Sequence, residues 1–182
     1  MIVIEHLDAE IYKWSNEEYK HIVEVLGKKN VLFTNIKEKT KLTFSNCEKK
    51  SVKELSLKNA CILDSQAEKT LEPSDALKFE NFIFGGILGN NPPQKRTEKF
   101  LTKELKFERR NLGKKQMSTD TAVIAAWKIL NGTKFDELKF IDDPEIEIEQ
   151  GMSCVMPYRY LSKNSMPDIP EKIMELIKKE EL

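Results

Sequence analysis

Phe82-Ile83-Phe84-Gly85-Gly86-Ile87-Leu88-Gly89-Asn90-Asn91-Pro92-Pro93 is the stretch on which the reading of this chain turns. An apolar Phe-Ile-Phe run of strand type empties into Gly85, Gly86 and Gly89, three of the chain's seven glycines. Glycine has no Cβ to keep a ligand away, so such a loop brings bare backbone N–H and C=O groups to a surface. A second loop follows at Leu112-Gly113, just before a helix that opens with Ser118, Thr119, Asp120 and Thr121. The hydroxyls there suit the orphan N–H groups of a helix start. Two loops and one helix start then converge on one small ligand.

Outward from this stretch, the same alternation recurs. Ile2-Val3-Ile4 reads as a strand ending in Glu5-His6, Val31-Leu32-Phe33 as one ending in Thr34-Asn35, and Ala60-Cys61-Ile62-Leu63 as one ending in Asp64. Between the first two, Ser15 and Glu18 have capping-box spacing, and Tyr19, Ile22, Val23 and Leu26 recur at helical period until Gly27. Residues 36–58 read as loops with a short helix near Ser51–Leu57, and Pro73 opens another short helix. Strands alternating with helices predict an α/β fold, a parallel sheet flanked by helices. The polar strand ends Glu5-His6, Asn35, Asp64 and Gly85 gather at its carboxyl edge, where open α/β sheets bind ligands.

Downstream, residues 94–115 carry Lys95, Arg96, Lys99, Lys103, Lys106, Arg109, Arg110, Lys114 and Lys115 against Glu98, Glu104 and Glu108. The stretch reads as a solvated helix face or as a local phosphate or carboxylate contact. The helix from Ser118 to Leu130 has almost no polar interruption through Ala122–Trp127 and is expected to be buried nearly all round, ending at Asn131-Gly132. Leu138–Ile141 reads as a strand ending in Asp142, within an acidic segment of Asp136, Glu137, Asp142, Asp143, Glu145, Glu147 and Glu149. Pro170 opens a terminal helix with Ile173, Met174, Leu176 and Ile177 on its inner face.

Composition narrows the function classes. The 182 residues make one domain, 1–182, and Lys plus Arg balance Asp plus Glu at 30 each, so no bulk field draws the protein to nucleic acid or membrane. Three cysteines without close pairing exclude a disulfide framework and fit a reduced cytoplasm. No apolar run approaches the ~20 residues of a spanning helix. His6 and His21 are too few and too isolated for a metal centre, and His21 reads as a helix-surface residue. The glycine loop lacks both the dinucleotide fingerprint and the Gly-Lys-Ser/Thr of a phosphate loop.

The two loops resemble the paired cofactor motifs of the SPOUT methyltransferases, whose later motif has a Leu-Gly, a basic pair and a Thr-Ala opening a buried helix. In this chain that run is Leu112-Gly113-Lys114-Lys115-Gln116-Met117-Ser118-Thr119-Asp120-Thr121-Ala122. Within that class the chain is similar to the family whose eukaryotic member methylates an arginine of a small-subunit ribosomal protein and whose archaeal members are labelled SAM-dependent RNA methyltransferases. The likeness runs through Ile4-Glu5-His6, Glu18-Tyr19, Leu63-Asp64, Phe84–Gly89, Pro92-Pro93, Arg96-Thr97, Arg110–Ala122, Phe140-Ile141-Asp142, Pro144-Glu145 and Met156–Tyr160.

The resemblance implies a SPOUT-type fold with a C-terminal trefoil knot and S-adenosylmethionine as cofactor, held by Phe84, Gly85, Gly86, Ile87, Leu88, Gly89, Asn90, Leu112, Gly113, Gln116, Met117, Thr119 and Thr121. It implies a ribosomal or translation-related protein as partner, with RNA also possible and a homodimer possible. Ribose-methylating SPOUT enzymes carry an early asparagine and arginine and a Gly-Pro-Glu-Gly-Gly type loop; this chain has no arginine before Arg96 and neither proline nor glutamate in its loop, so ribose is not the expected acceptor. An arginine acceptor stays cationic and needs a carboxylate to orient it and take a proton. Strand-end placement offers Glu5, Asp64, Asp120, Asp143 and Glu145, with Glu5 foremost, and the catalytic set is read as Glu5, His6 and Asp120. Asp120 equally suits a helix dipole. An RNA base methyltransferase and a SAM-binding ribosome-associated module without catalysis remain alternatives.

Overall fold

A computed structural model of the chain describes residues 1–37, 42–87 and 97–179. Its frame is a six-stranded sheet built from β1 (Ile2–His6), β2 (Val31–Thr34), β3 (Asn46–Cys47), β4 (Ala60–Leu63), β5 (Asn81–Gly86) and β6 (Glu108–Arg110). The order is β3-β2-β1-β5-β4-β6, and every pairing is parallel. Side chains in a strand alternate between faces, and the core divides accordingly. Ile2, Ile4, Cys61, Leu63, Phe82 and Phe84 enter the larger apolar cluster with α1 (Lys13–Leu26) and α3 (Thr119–Leu130). Val3, Ala60, Ile62 and Ile83 face the other way, onto Val52 and Leu101. The central strands are therefore apolar throughout, as a sheet covered on both faces requires.

Between β4 and β5 lies the one-turn helix α2 (Asp75–Lys78). The C-terminal part adds β7 (Phe140–Asp142), β8 (Glu145–Glu149), β9 (Met152–Val155), β10 (Arg159–Lys163), β11 (Met166–Pro167) and α4 (Glu171–Lys178). β10 pairs antiparallel with β7 and β11, and β8 with β9. Ile146, Met156, Tyr160, Ile173 and Ile177 form a third cluster that packs on Trp14 of α1. Among the described residues no helix is long and apolar enough to cross a membrane.

Several local expectations need correction. α1 begins at Lys13, so Ser15 and Glu18 lie inside the helix and form no capping box. Both are buried, because the face they occupy turns toward α3. A capping box does form at Ser51 and Glu54, on the single turn Val52–Glu54. Gly85 and Gly86 are the last two residues of β5 rather than loop. The basic stretch is no continuous helix: it holds a π-helical turn at Glu98–Thr102 and then β6. Glu108-Arg109-Arg110 has no strand character of its own; pairing to Cys61, Ile62 and Leu63 imposes it.

Candidate active site

Parallel strands end at one edge, so the register decides which residues meet there. Glu5 pairs with Gly85 and Thr34, His6 with Gly86, and Leu63 with Arg110. Leu7 N donates to Gly86 O at 2.9 Å, and Asp64 N to Arg110 O at 2.9 Å. Asn35, in the left-handed region at φ 58°, turns the chain away after β2 and donates from Nδ2 to His6 O at 2.7 Å. The edge expected from the strand ends is thus assembled from β2, β1, β5, β4 and β6.

Gly86 is fixed by sterics. A Cβ there would collide with Tyr19 Oη and lie 2.8 Å from Ile4 Cγ2. The Tyr19 hydroxyl fills that space and sits 3.0 Å from His6 Nδ1. His6 is 4% exposed, and burial lowers its pKa, opposed by the charge of Asp8. Burial thus favours the neutral imidazole, against Asp8 and the Glu10 backbone, and Nε2 has no side-chain hydrogen-bond partner among the described residues.

Glu5 is arranged differently. Its carboxylate accepts from Ser51 Oγ at 2.6 Å, from Val52 N at 2.9 Å and from Thr34 Oγ1. At 1% exposure it ties β1 to β2 and to the turn at 51–54. Asp64 is similarly engaged, by Gln66 N at 2.9 Å and Thr102 Oγ1 at 2.8 Å, with Arg109 Nη1 at 3.5 Å.

The second loop, 111–118, is held at three points. Asn111 Oδ1 accepts from Gly113 N at 2.9 Å, while Asn111 Nδ2 donates to Ala67 O at 2.8 Å. This side-chain turn delivers Gly113 at φ 83°, a conformation suited to glycine. Midway, Arg159 N donates to Gln116 O at 2.8 Å, and Met117 bridges to Arg159. The Arg159 guanidinium grips Asp142 at 2.6 and 3.1 Å and lies over the Phe140 ring; Lys115 Nζ reaches the same carboxylate at 2.8 Å. These cations hold Asp142 well below the usual carboxylate range.

At its end the loop meets α1. Trp14, Glu18 and His21 lie on successive turns of that helix and face the start of α3. Trp14 Nε1 donates to Glu18 at 3.0 Å, and Glu18 also accepts from the hydroxyl and amide of Thr119. His21 Nδ1 donates to Asp120 Oδ2 at 2.8 Å. Asp120 Oδ1 accepts from Ser118 Oγ at 2.6 Å and from Thr121 N at 2.8 Å, and Ser118 Oγ lies 2.8 Å from Thr121 Oγ1. The orphan donors of α3 are satisfied by two carboxylates rather than by the expected hydroxyl caps. Burial, and next the charge of Asp120, push the Glu18 carboxyl well above the ordinary value; burial and the same two acids raise the Tyr160 phenol.

Of the expected catalytic residues, Glu5 and His6 sit side by side at the sheet edge, and Asp120 lies at the α3 end of the second loop. Phe84, Gly85, Gly86 and Ile87 border the first loop, and Leu112, Gly113, Gln116, Met117, Thr119 and Thr121 the second; Leu88, Gly89 and Asn90 fall outside the described residues. His21 is not the surface residue expected: its side chain is only 11% exposed and anchors Asp120. Asn111, Arg159 and Asp142 were not read as site residues. The spacing of Trp14, Glu18 and His21 on one helical face was the available signal for the α1 contribution.

Comparison with known proteins finds relatives over nearly the whole chain. A family model described as "SFM1-like: Protein arginine N-methyltransferase SFM1-like" matches residues 1–182. The chain is 35% identical to "Protein arginine N-methyltransferase SFM1" of Saccharomyces cerevisiae, over 98% of this chain and 94% of that protein. Two solved structures of the yeast arginine methyltransferase SFM1 are similar, both at TM-score 0.89. The one complexed with SAH is 34% identical, covering 97% of this chain and 94% of its own. The one complexed with SAM is 33% identical, covering 98% and 90%. A Trm10 structure from Thermococcus kodakaraensis, at 17% identity and TM-score 0.57 over 75% of this chain, shares the SPOUT fold alone.

Proposed function

The chain belongs to the SFM1-like protein arginine N-methyltransferases, and from that premise we propose that it transfers a methyl group from S-adenosylmethionine to an arginine side chain of a ribosomal or other translation-related protein. The observation that carries the reading is the 35% identity to the yeast enzyme sustained over 98% of this chain. We place the protein in the cytoplasm, a reducing setting suited to a sequence with an odd number of cysteines, three in all. The trefoil threading that accompanies the SPOUT fold belongs to the same reading, supported by the resemblance to the two yeast structures.

The residues present fit the cofactor. Gly113 is held at positive φ beside buried Leu112 and half-buried Met117, and the buried His6 Nε2 at the sheet edge lacks a side-chain partner among the described residues. An adenine edge calls for fixed backbone donors and acceptors in an apolar slot. Residues 85–87 and 112–117 would provide them. When bound, the cofactor supplies an electrophilic methyl group on a sulfonium. The protein's part is alignment, worth roughly 7–11 kcal/mol, against about 3–5 kcal/mol for a positioned base. The guanidinium nitrogen would shed a proton as its new C–N bond forms and the methyl–sulfur bond breaks, the sulfur keeping the electron pair, and His6 is the acceptor we assign, with Nδ1–H donating to Tyr19 Oη so that Nε2 carries the lone pair. Glu5 and Asp120 have every carboxylate oxygen engaged, and they act on the frame that carries the site.

Transfer of labelled methyl from S-adenosylmethionine to ribosomal particles and free ribosomal components, from the source organism lacking this protein, tests the reading. Label recovered as methylarginine from the protein fraction is the expected result. Label in RNA would overturn the acceptor, and saturable SAM binding without any transfer would overturn catalysis.

A further inference from the structure

Resting on the methyltransferase reading, we infer that His21 is a positioning residue for the cofactor loop, locking the loop-to-α3 junction to α1 through Asp120. The contact spans 99 residues of sequence and is 2.8 Å long. It meets the carboxylate that also takes Ser118 Oγ and Thr121 N, so one imidazole controls the group that orders the last residue of the loop and the first turn of the helix. Glu18 makes a separate tie one turn earlier, to the hydroxyl and amide of Thr119, which does not touch the Asp120 carboxylate. Elsewhere the loop is tied to the sheet side by Asn111 and to β10 by Arg159, and His21 completes the set from the helical layer.

The junction is also charge-assisted. His21 faces Asp120 of α3 and, from Nε2, Asp168 beyond β11 at 3.9 Å, while Lys163 of β10 reaches Asp168 at 3.8 Å. Glu24 adds a carboxylate from the same helix, and Glu18 lies one turn earlier against Thr119. Burial lowers the His21 pKa, but the bond and charge of Asp120, with Asp168 and Glu24, outweigh it and raise the value. The imidazolium is the form that grips the carboxylate most strongly. Raising the pH through the folded value removes its charge and leaves a neutral donor, so the junction loosens in the alkaline direction. A loop less often in its binding arrangement lowers apparent affinity in proportion.

Two variants separate this role from simple packing. His21→Asn keeps a donor near the Nδ1 position and cannot titrate, whereas His21→Leu removes the donor. Amide hydrogen exchange of the ligand-free full chain at pH 5.5, 7.0 and 8.5 reads the junction directly, and SAM affinity under the same conditions reads its consequence. We expect His21→Leu to lower protection at Thr121 and Ala122 by about tenfold and to weaken SAM binding by a similar factor. The interior amides of α3 should be unaffected. Wild type should lose protection and affinity as pH rises, and His21→Asn should recover most of both without the pH dependence. Equal protection in His21→Leu and wild type at every pH would overturn the inference. Failure of wild type to bind SAM at any pH would instead overturn the functional reading, and with it the cofactor part of this inference, while exchange still decides whether His21 orders the junction.

Discussion

The Tyr19 hydroxyl occupies the space in which a side chain on residue 86 would begin, and from there it meets His6 Nδ1 at 3.0 Å. One contact thus makes residue 86 a glycine and sets the ring of the histidine beside it. Gly86→Ala should cost about 1–3 kcal/mol through overpacking. Removing the hydroxyl as well, in Gly86→Ala with Tyr19→Phe, should recover part of that loss. Thermal or urea unfolding of the two single variants and the pair gives the coupling energy; strict additivity would show that the hydroxyl is not what excludes the Cβ.

His6→Asn preserves a group near Nδ1 for Tyr19 but has nothing at the Nε2 position. Turnover should fall by about 10² to 10⁴, with SAM affinity changed less than about threefold. Steady-state rates and a direct binding titration separate the two quantities. Full turnover would reduce His6 to a support for Tyr19.

Arg110 and Asp75 form a buried pair, with Arg110 Nε 3.0 Å from each carboxylate oxygen and Nη2 2.8 Å from Oδ1. Arg110→Met would leave Asp75 buried without its cation and should cost ~3–5 kcal/mol. Arg110→Met with Asp75→Asn should be less damaging than Arg110→Met alone. Chemical denaturation measures both.

Stability should decline from neutral to alkaline pH, above the range in which His6, with its lowered folded value, adds stability as pH rises toward about 6.5. The folded values of Glu18 and His21 are both raised. A raised folded value means that the native state holds the proton more tightly than the unfolded chain does. The associated stabilisation is complete below about 4.5 for Glu18 and about 6.5 for His21, and it is lost as pH climbs through each folded value. Glu18→Gln should gain on wild type as pH rises from 5 to 8, and adding His21→Asn should flatten the remaining slope. Urea titrations check the sign; a wild type that gains stability between pH 7 and 8 would contradict it.

The strands at the centre of the sheet were legible because burial on both faces writes itself as short unbroken apolar runs, as at Ile2–Ile4, Ala60–Leu63 and Phe82–Phe84. β6 was not, since its charged residues acquire their form from the partner strand and from Asp75. The strand β8 was legible but was read only as charge: Glu145-Ile146-Glu147-Ile148-Glu149 alternates strictly, with Ile146 and Ile148 turned inward, whereas its partner Met152–Val155 has no such pattern. At the site, strand ends located the sheet edge, and Gly113 at positive φ marks the second loop. His21 and Arg159 could not be read as holding the loop, because their partners Asp120 and Asp142 come through tertiary contact alone, whereas Asn111, two residues before Gly113, offered a local turn signal.

The order of strands has a consequence for the history of the molecule as it is made. β1 is synthesised well before β5, yet it is completed only when β5 arrives to lie beside it, and the face of α1 that carries His21 waits for Asp120. Pairings this distant in sequence close large loops before they are rewarded, which slows folding. A nascent chain halted before α3 would expose the apolar faces of its early strands and lack the second half of its site. Competence to bind a ligand should therefore emerge late and abruptly, when one segment near the middle of the chain docks onto another near its start.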